Sequence, residues 1–412
     1  VRLEDDALAA LAEGLRRVGV AELEAATNAN ASTREGAPLG ALGVGEGAAT
    51  AAREGSSSPL RLIALERLVD VSLMNARRAG TLLWPAFEAH VVGAAAAETD
   101  PEVSRAVFEQ LERFIVETLG REEEEDEDEA DVPEEAREAL ESAVLAPLPR
   151  LARGAASRDA RIRAVRVARA VTRERGERVK SAGGWDALLE TLERPAKDAS
   201  GARVGPSAEE DEVEDGSRAG KTKKKSTKKP IAPGSAPRSS DVQLGWSALA
   251  AVASDLLPAG AVPSSRRARL VAAIFAYVDQ TDDLNAALSA VGALWTVADQ
   301  LAAVAEAEEP VGNAGKNFVS ATLARHLTPA FVALRDASLD ARSEIRDGAV
   351  KALAAALASR GDALSDAAFR SAAFDLYFPL LREIRATAFA ASDEELQTAT
   401  VGTSTAHGAD GG

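Results

Sequence analysis

Apolar residues recur along this chain at every third or fourth position, the spacing that puts them on one side of a helix. The pattern is clearest between Asp241 and Leu301, where Leu284, Ala287, Leu288, Val291, Trp295 and Ala298 stand at i, i+3, i+4, i+7, i+11 and i+14. Such a face must be buried. Thr281, Asp282 and Asp283 precede it with side-chain oxygens able to accept the free amide hydrogens of a first turn, so Thr281 or Asp282 is expected to start the helix. A second apolar stretch, 266–277, is separated from it by only a short polar break. Two helices so joined must pack antiparallel, as a hairpin.

The same periodicity extends to the N-terminus. Residues 4–25 predict one or two helices with Leu8, Leu11, Leu15 and Val18 on a common face, followed by a Gly-, Ala- and Ser-rich linker at 28–57. Ser58 is expected to cap the next helix with Pro59 at its first position, and Leu62, Leu65, Val69 and Leu73 form its stripe. A partner helix is expected at 84–92. Asp100-Pro101-Glu102 repeats the cap signal before Val103, Val107, Leu111, Phe114 and Leu119. Further helices are expected at 134–151, 159–171 and 185–192, after which the periodicity is lost from Arg194 to Ser240. The domain expectation is an N-terminal helical repeat region at 1–193 with an acidic loop near 121–132, a flexible Lys-rich linker at 194–240, a second repeat region at 241–390 and a disordered tail at 391–412.

Alternating, β-branched runs are absent and aromatic residues make up only 4% of the chain, so the expected class is all-α. Its 412 residues exceed one compact core and fit two or three domains, or one extended array. An internal repeat favours the array. Ala164-Val165-Arg166 precedes Arg175-Gly176 by the same spacing as Ala349-Val350-Lys351 precedes Arg360-Gly361, and an acid followed by Ile-Arg lies before each triplet (Asp159, Ile162, Arg163; Asp340, Ile345, Arg346). The expected fold is therefore a HEAT- or armadillo-like α-solenoid of irregular helical hairpins, in which no repeat can bury its face alone.

Charge and chemistry change this picture little. The net charge of −17 includes eight acidic residues in one run, Glu122 to Glu129, which leaves an ordinary surface elsewhere. Its sign disfavours nucleic acid, whose phosphates need a basic face. With no Cys there are no disulfides or thiolate metal sites. The run LVAAIFAYV ends at Asp279, so no membrane-spanning helix is expected. The first residue is Val and no signal sequence follows, so the chain is expected to be a piece of a longer one.

No catalytic, cofactor-binding or metal-binding residue is assigned. Gly220-Lys221-Thr222 ends like a phosphate loop, yet Asp215 stands where that loop needs glycine. Gly43, Gly45 and Gly47 lie in low-complexity sequence with no βαβ context. His90, His326 and His407 are too scattered for a metal site. Lys221 to Lys229 reads as solvated, and Trp84, Trp185, Trp246 and Trp295 are each expected in the core.

The runs at 60–91 and 144–171, together with Arg175-Gly176, Gly184-Trp185, the WSALAAVASDLLP and DDLNAALSAVGALWTVAD segments and the LRDASLDARSEIRDGAVKAL run, resemble the Mon-two family, large Golgi and endosome scaffolds related to Sec7-type BIG exchange factors of Arf GTPases. The resemblance implies a non-catalytic scaffold or regulator of vesicle-mediated transport between endosomes and the trans-Golgi network, peripheral on the cytoplasmic side of those membranes. It implies protein partners: a Dopey-type protein, a flippase and Arf-like GTPases. A homodimer is a further expectation. Two alternatives stay open: a C-terminal regulatory fragment of a BIG-type exchange factor, and a nuclear transport receptor-like repeat protein.

Overall fold

A computed structural model describes residues 4–35, 62–75, 83–96, 100–120, 133–155, 157–201, 239–307, 316–360, 364, 366–386 and 388–389. All regular structure among them is helical, with no strand, and the class is all-α, of the α-solenoid kind. Packing separates two units, one of residues 1–252 with 280–283 and the other of 253–279 with 284–412.

Unit 1 holds α1 (Asp5–Glu35), α2 (Ile63–Met74), α3 (84–96), α4 (Pro101–Gly120), α5 (Glu134–Leu145), α6 (Pro147–Gly154), α7 (Arg158–Arg175), α8 (Ala182–Gly201) and α9 (Ser239–Ala251). The stripes expected on α2 and α4 are buried as read, with Leu65, Val69, Val107 and Leu111 fully enclosed. Asp100 Oδ1 accepts the Glu102 amide hydrogen at 2.9 Å, so the cap before α4 forms. At α2 the cap comes from another helix. Leu62 has no side-chain acceptor, and Glu22 of α1 takes the Ala64 amide at 2.9 Å instead, satisfying one of the unpaired first-turn donors. Ser58 and Pro59 lie outside the described residues. Glu141 of α5, buried, likewise accepts the amides of Lys180 and Ser181 at 2.9 and 2.8 Å, and Ser181 Oγ accepts that of Gly184 at 3.0 Å to cap α8.

Several boundaries differ from the sequence expectation. The helix expected at 134–151 is two, because Pro147 opens α6 where proline's missing amide is harmless. α1 runs on to Glu35, into the expected linker, and α8 runs to Gly201 with Pro195 inside it. α9 starts at Ser239 and packs on α7 and α8, so the first helix after residues 202–238 belongs to unit 1. Those intervening residues, with the Lys-rich run, lie outside the described ones.

Unit 2 holds α10 (Arg267–Asp279), α11 (Leu284–Ala307), α12 (Lys316–Ala337), α13 (Ser343–Arg360) and α14 (366–386). α11 is its centre, packed on α10, α12 and α13, and the α10–α11 hairpin forms as expected. The helix starts at Leu284, two or three residues later than expected. Gln280 Oε1 accepts the amides of Asp282 and Asp283 at 2.9 Å each, and the Asp283 carboxylate accepts hydrogen bonds from Ser239 and Gln243. One stretch of α11, 284–304, is long and apolar enough to cross a membrane, contrary to the expectation from apolar run length. Counting runs missed it because Asn285, Ser289 and Asp299 interrupt a helix that remains apolar on average. Its packing identifies it as a core helix.

The buried face of α11 includes Ala287, Val291 and Ala298 of the expected stripe but not its largest members. Leu284 and Leu288 are 42% and 37% exposed and Trp295 is half-buried, whereas Ala287, Ala290, Leu294, Val297 and Leu301 are enclosed. α1 is similar: of its expected stripe Leu8 is buried and Leu15 half-buried while Leu11 and Val18 are exposed, and Ala12 and Gly19 are enclosed instead. Alanine and glycine let helix axes approach closely, and the bulky side chains are left at the edges.

The internal repeat is real in its details but pairs different residues. Arg161 donates to the Ala155 carbonyl and Arg346 to the Asp340 carbonyl, each at 3.0 Å and each reaching six residues back. Arg346 thus matches Arg161 rather than Arg163, and buried Ala160, Ala164 and Ala168 match Ile345, Ala349 and Leu353. Each arginine ties the loop before its helix to the helix itself. In unit 2 Arg342 adds a second clasp, gripping the Asp340 carboxylate at 2.7 Å and the Val278 carbonyl at the end of α10 at 2.5 Å.

Candidate functional site

Of the sequence features considered for chemistry, Gly43, Gly45, Gly47, Gly220-Lys221-Thr222, the run to Lys229, Glu122 to Glu129 and His407 all lie outside the described residues. His326 lies in α12, its side chain outside the description. Among the described residues no group of three His, Asp or Glu is placed to hold a metal. The tryptophans divide. Trp185 is fully buried and its indole Nε1 donates to the Val179 carbonyl at 2.9 Å, while Trp84, Trp246 and Trp295 are only half-buried.

His90 is the buried titratable group of unit 1. It sits in a π-turn, Glu88–Val92, within α3, and its ring lies against Gly19 of α1 so closely that a Cβ there would fall 2.1 Å from Nε2. Only glycine fits at that point. Nε2 has no hydrogen-bond partner. Burial, and secondarily the Arg16 guanidinium, push the imidazole pKa below its usual value, so the ring is neutral. Arg16 is itself held by Glu13 at 2.7 Å, and Arg16 and Arg17 together lower that carboxyl to about 2. The arrangement has the character of packing rather than of acid–base chemistry.

Two surfaces present unusual chemistry. The outer side of α7 carries exposed Arg166, Arg169 and Arg173, spaced at three and four residues, and Arg173 pairs with Glu174 at 2.8 Å. At the flanks Arg158 pairs with Asp241 of α9, and Arg163 with Asp159 at 2.6 Å. α14 carries the other. Its inner side, with buried Ala372 and Leu380, packs against α12, and its outer side exposes Phe374, Phe378, Leu381 and Phe389. A π-turn, Ala372–Tyr377, interrupts the helix at its middle. The rings of Phe374 and Phe378 stand 5.3 Å apart, and Arg385 covers Phe389 at 5.5 Å. The sequence reading did not single out α14, although Phe374, Phe378, Leu381, Arg385 and Phe389 already fall at i, i+4, i+7, i+11 and i+15.

What the fold defines, then, is an all-helical repeat protein whose distinguishing features are surfaces. Over 154 residues, 37% of this chain, it is 31% identical to Monensin-resistant homolog 2 of Caenorhabditis elegans and 30% identical to Protein MON2 homolog of Caenorhabditis briggsae. The match spans 9% of the length of each. No family model matches the chain, and no solved structure does. The chain is thus related to MON2-type proteins over about a third of its length.

Proposed function

We propose that this chain is a scaffold segment acting in vesicle-mediated protein transport between endosomes and the trans-Golgi network, without catalysis of its own. The observation that carries the reading is the likeness to two MON2-type proteins over 154 residues. The helical fold agrees in kind, because stacked hairpins offer long surfaces on which partners assemble. In this reading the protein works on the cytoplasmic face of those membranes, with partners of the Dopey, flippase and Arf-like GTPase kinds. The test is depletion of the protein in cells, followed by the return of an internalised cargo to the trans-Golgi network. Slowed return, restored by re-expression, is the expected result; unchanged return would overturn the proposal. A second assay addresses the exchange-factor alternative: added to an Arf GTPase loaded with labelled nucleotide, this chain should leave the release rate unchanged.

A further inference from the structure

α1 is lightly held. Between Asp5 and Ala26 it buries only Leu8, Ala12 and Gly19, whereas α4 encloses Val107, Phe108, Leu111, Phe114 and Ile115. Its seat is formed by α2, α3 and α4, and two specific contacts tie it there. The Glu22 carboxylate accepts the Ala64 amide hydrogen in the first turn of α2 at 2.9 Å. Gly19 closes over the His90 ring of α3, so near that a Cβ on it would fall 2.1 Å from Nε2. Residues 36–61, which join α1 to α2, are enough chain for the helix to move aside by its own width, about 10 Å, without displacing α2.

The contact with Gly19 suits only a neutral ring. His90 is 2% exposed and Nε2 has no hydrogen-bond partner, so a proton added there would place a donor and a positive charge in an enclosed space that offers that atom no acceptor. The charged groups on the surrounding helices do not offset it. On α1 Glu13 is engaged with Arg16 and Arg17, and on α3 itself Glu88 pairs with Arg150 of α6 at 2.5 Å. Asp70 of α2 holds Arg67 and also Arg113 of α4, while on α4 Glu109 pairs with Arg105 and Glu117 with Arg113. Glu112 of α4, which burial holds above the usual carboxylate range, interacts with Glu174 and Arg173 of α7. Only the Arg16 cation acts on the imidazole, and it repels the proton. Moving α1 aside removes both Gly19 and Arg16 from the ring and lets water reach Nε2.

We propose that His90 is a pH-operated latch for α1: with the ring neutral the helix is seated, and with the ring protonated it lifts from α2, α3 and α4, taking Glu22 from the first turn of α2 and baring the apolar side beneath. The latch is independent of the trafficking reading. In the seated state burial depresses the proton affinity of the ring, and in the lifted state the ring has its ordinary value of 6.5, so opening is favoured as pH falls below that value. A single proton sets a ceiling of about tenfold in the opening constant per pH unit.

The test is hydrogen exchange of the whole chain between pH 7 and 5, corrected for the pH dependence of the intrinsic rate. The opening constant of α1 should rise about five- to twentyfold over that range. At each pH α1 should open roughly tenfold or more often than α7 and α8, as a separate local event. His90→Gln should remove the pH dependence of α1. Should that variant misfold, His326→Gln with His407→Gln leaves His90 as the one histidine of the chain. Its ring, followed by NMR, should then titrate with a midpoint below 6.5, at the pH where the rise in α1 opening levels off. Equal protection of α1 at both pH values overturns the proposal. So does the same rise in His90→Gln, opening of α1 only together with α7 and α8, or an ordinary midpoint for the His90 ring.

Discussion

Two tryptophans, Trp185 on α8 and Trp295 on α11, have opposite fates. Trp185 is enclosed because the chain leaves helical geometry just before it: the turn at 176–181 exposes the Val179 carbonyl, and the indole both fills the space and satisfies that carbonyl. Trp295 lies mid-helix and half-exposed on an element that turns Ala287, Ala290, Ala298, Leu294 and Leu301 inward instead. Unit 1 also stacks Trp84 on Phe87 and sets Phe87 tilted against Phe114 at 4.2 Å, whereas α11 brings Ala287, Ala290 and Ala298 inward. Unit 1 is packed by filling, and the centre of unit 2 by closeness. The first kind of core is damaged by removal, the second by addition.

The largest effect expected is therefore from Trp185→Ala, which deletes a buried ring and its hydrogen bond at a cost of about 3–5 kcal/mol. Hydrogen exchange read helix by helix should show α7 and α8 opening, and retained protection there would break the comparison. Next comes Ala290→Leu, where added methyl groups meet packed helices at a cost of about 1–3 kcal/mol. Trp295→Ala on the same helix should cost less than Ala290→Leu, an inversion of the usual size rule and the sharpest test of it. Gly19→Ala probes the place where unit 1 is also packed by closeness. Its methyl would meet the His90 ring and should destabilise by about 1–3 kcal/mol, with part of the loss recovered in the double variant Gly19→Ala, His90→Ala.

The smallest effect is on pH dependence. The folded chain holds His90 below its usual pKa of 6.5, so as pH falls through that value the unfolded chain takes up the proton first. Stability from this site is complete above about pH 6.5 and declines below it, towards the lowered folded pKa. In His90→Gln that slope should flatten in denaturant melts recorded between pH 7 and 5. Arg16 is the charge that acts on the ring, and Arg16→Gln should reduce the slope only slightly, since burial is the larger cause.

What the sequence showed well were helices that bury large side chains. Leu62, Leu65, Val69 and Leu73, like Val103 to Leu119, announce their face because each position costs several tenths to a few kcal/mol when exposed. The faces of α1 and α11 were legible only in part, because alanine carries little hydrophobic weight individually, though a row of it sets how near two axes can come. Carboxylates supplied by other helices, such as Glu22 to the first turn of α2 and Glu141 to the residues just before α8, leave no local signature at all. The fold class needed only periodicity. The outer face of α14 was legible in spacing, but nothing in the sequence says which of two apolar sides of a helix faces its own protein.

The π-turn in α14 acts as a correction of phase. In a regular helix each residue advances about 100°, so Ala372 and Leu380, eight positions apart, would point about 80° away from one another. Both are nevertheless buried on the same side, because the wider turn at 372–377 absorbs the surplus rotation. The lag is shared by everything downstream, so Phe378 and Phe389 come into line with Phe374 on the outer side as Leu380 comes into line within. Removing a single residue from that turn would leave composition and charge almost untouched, yet it would detune both sides of the helix at once.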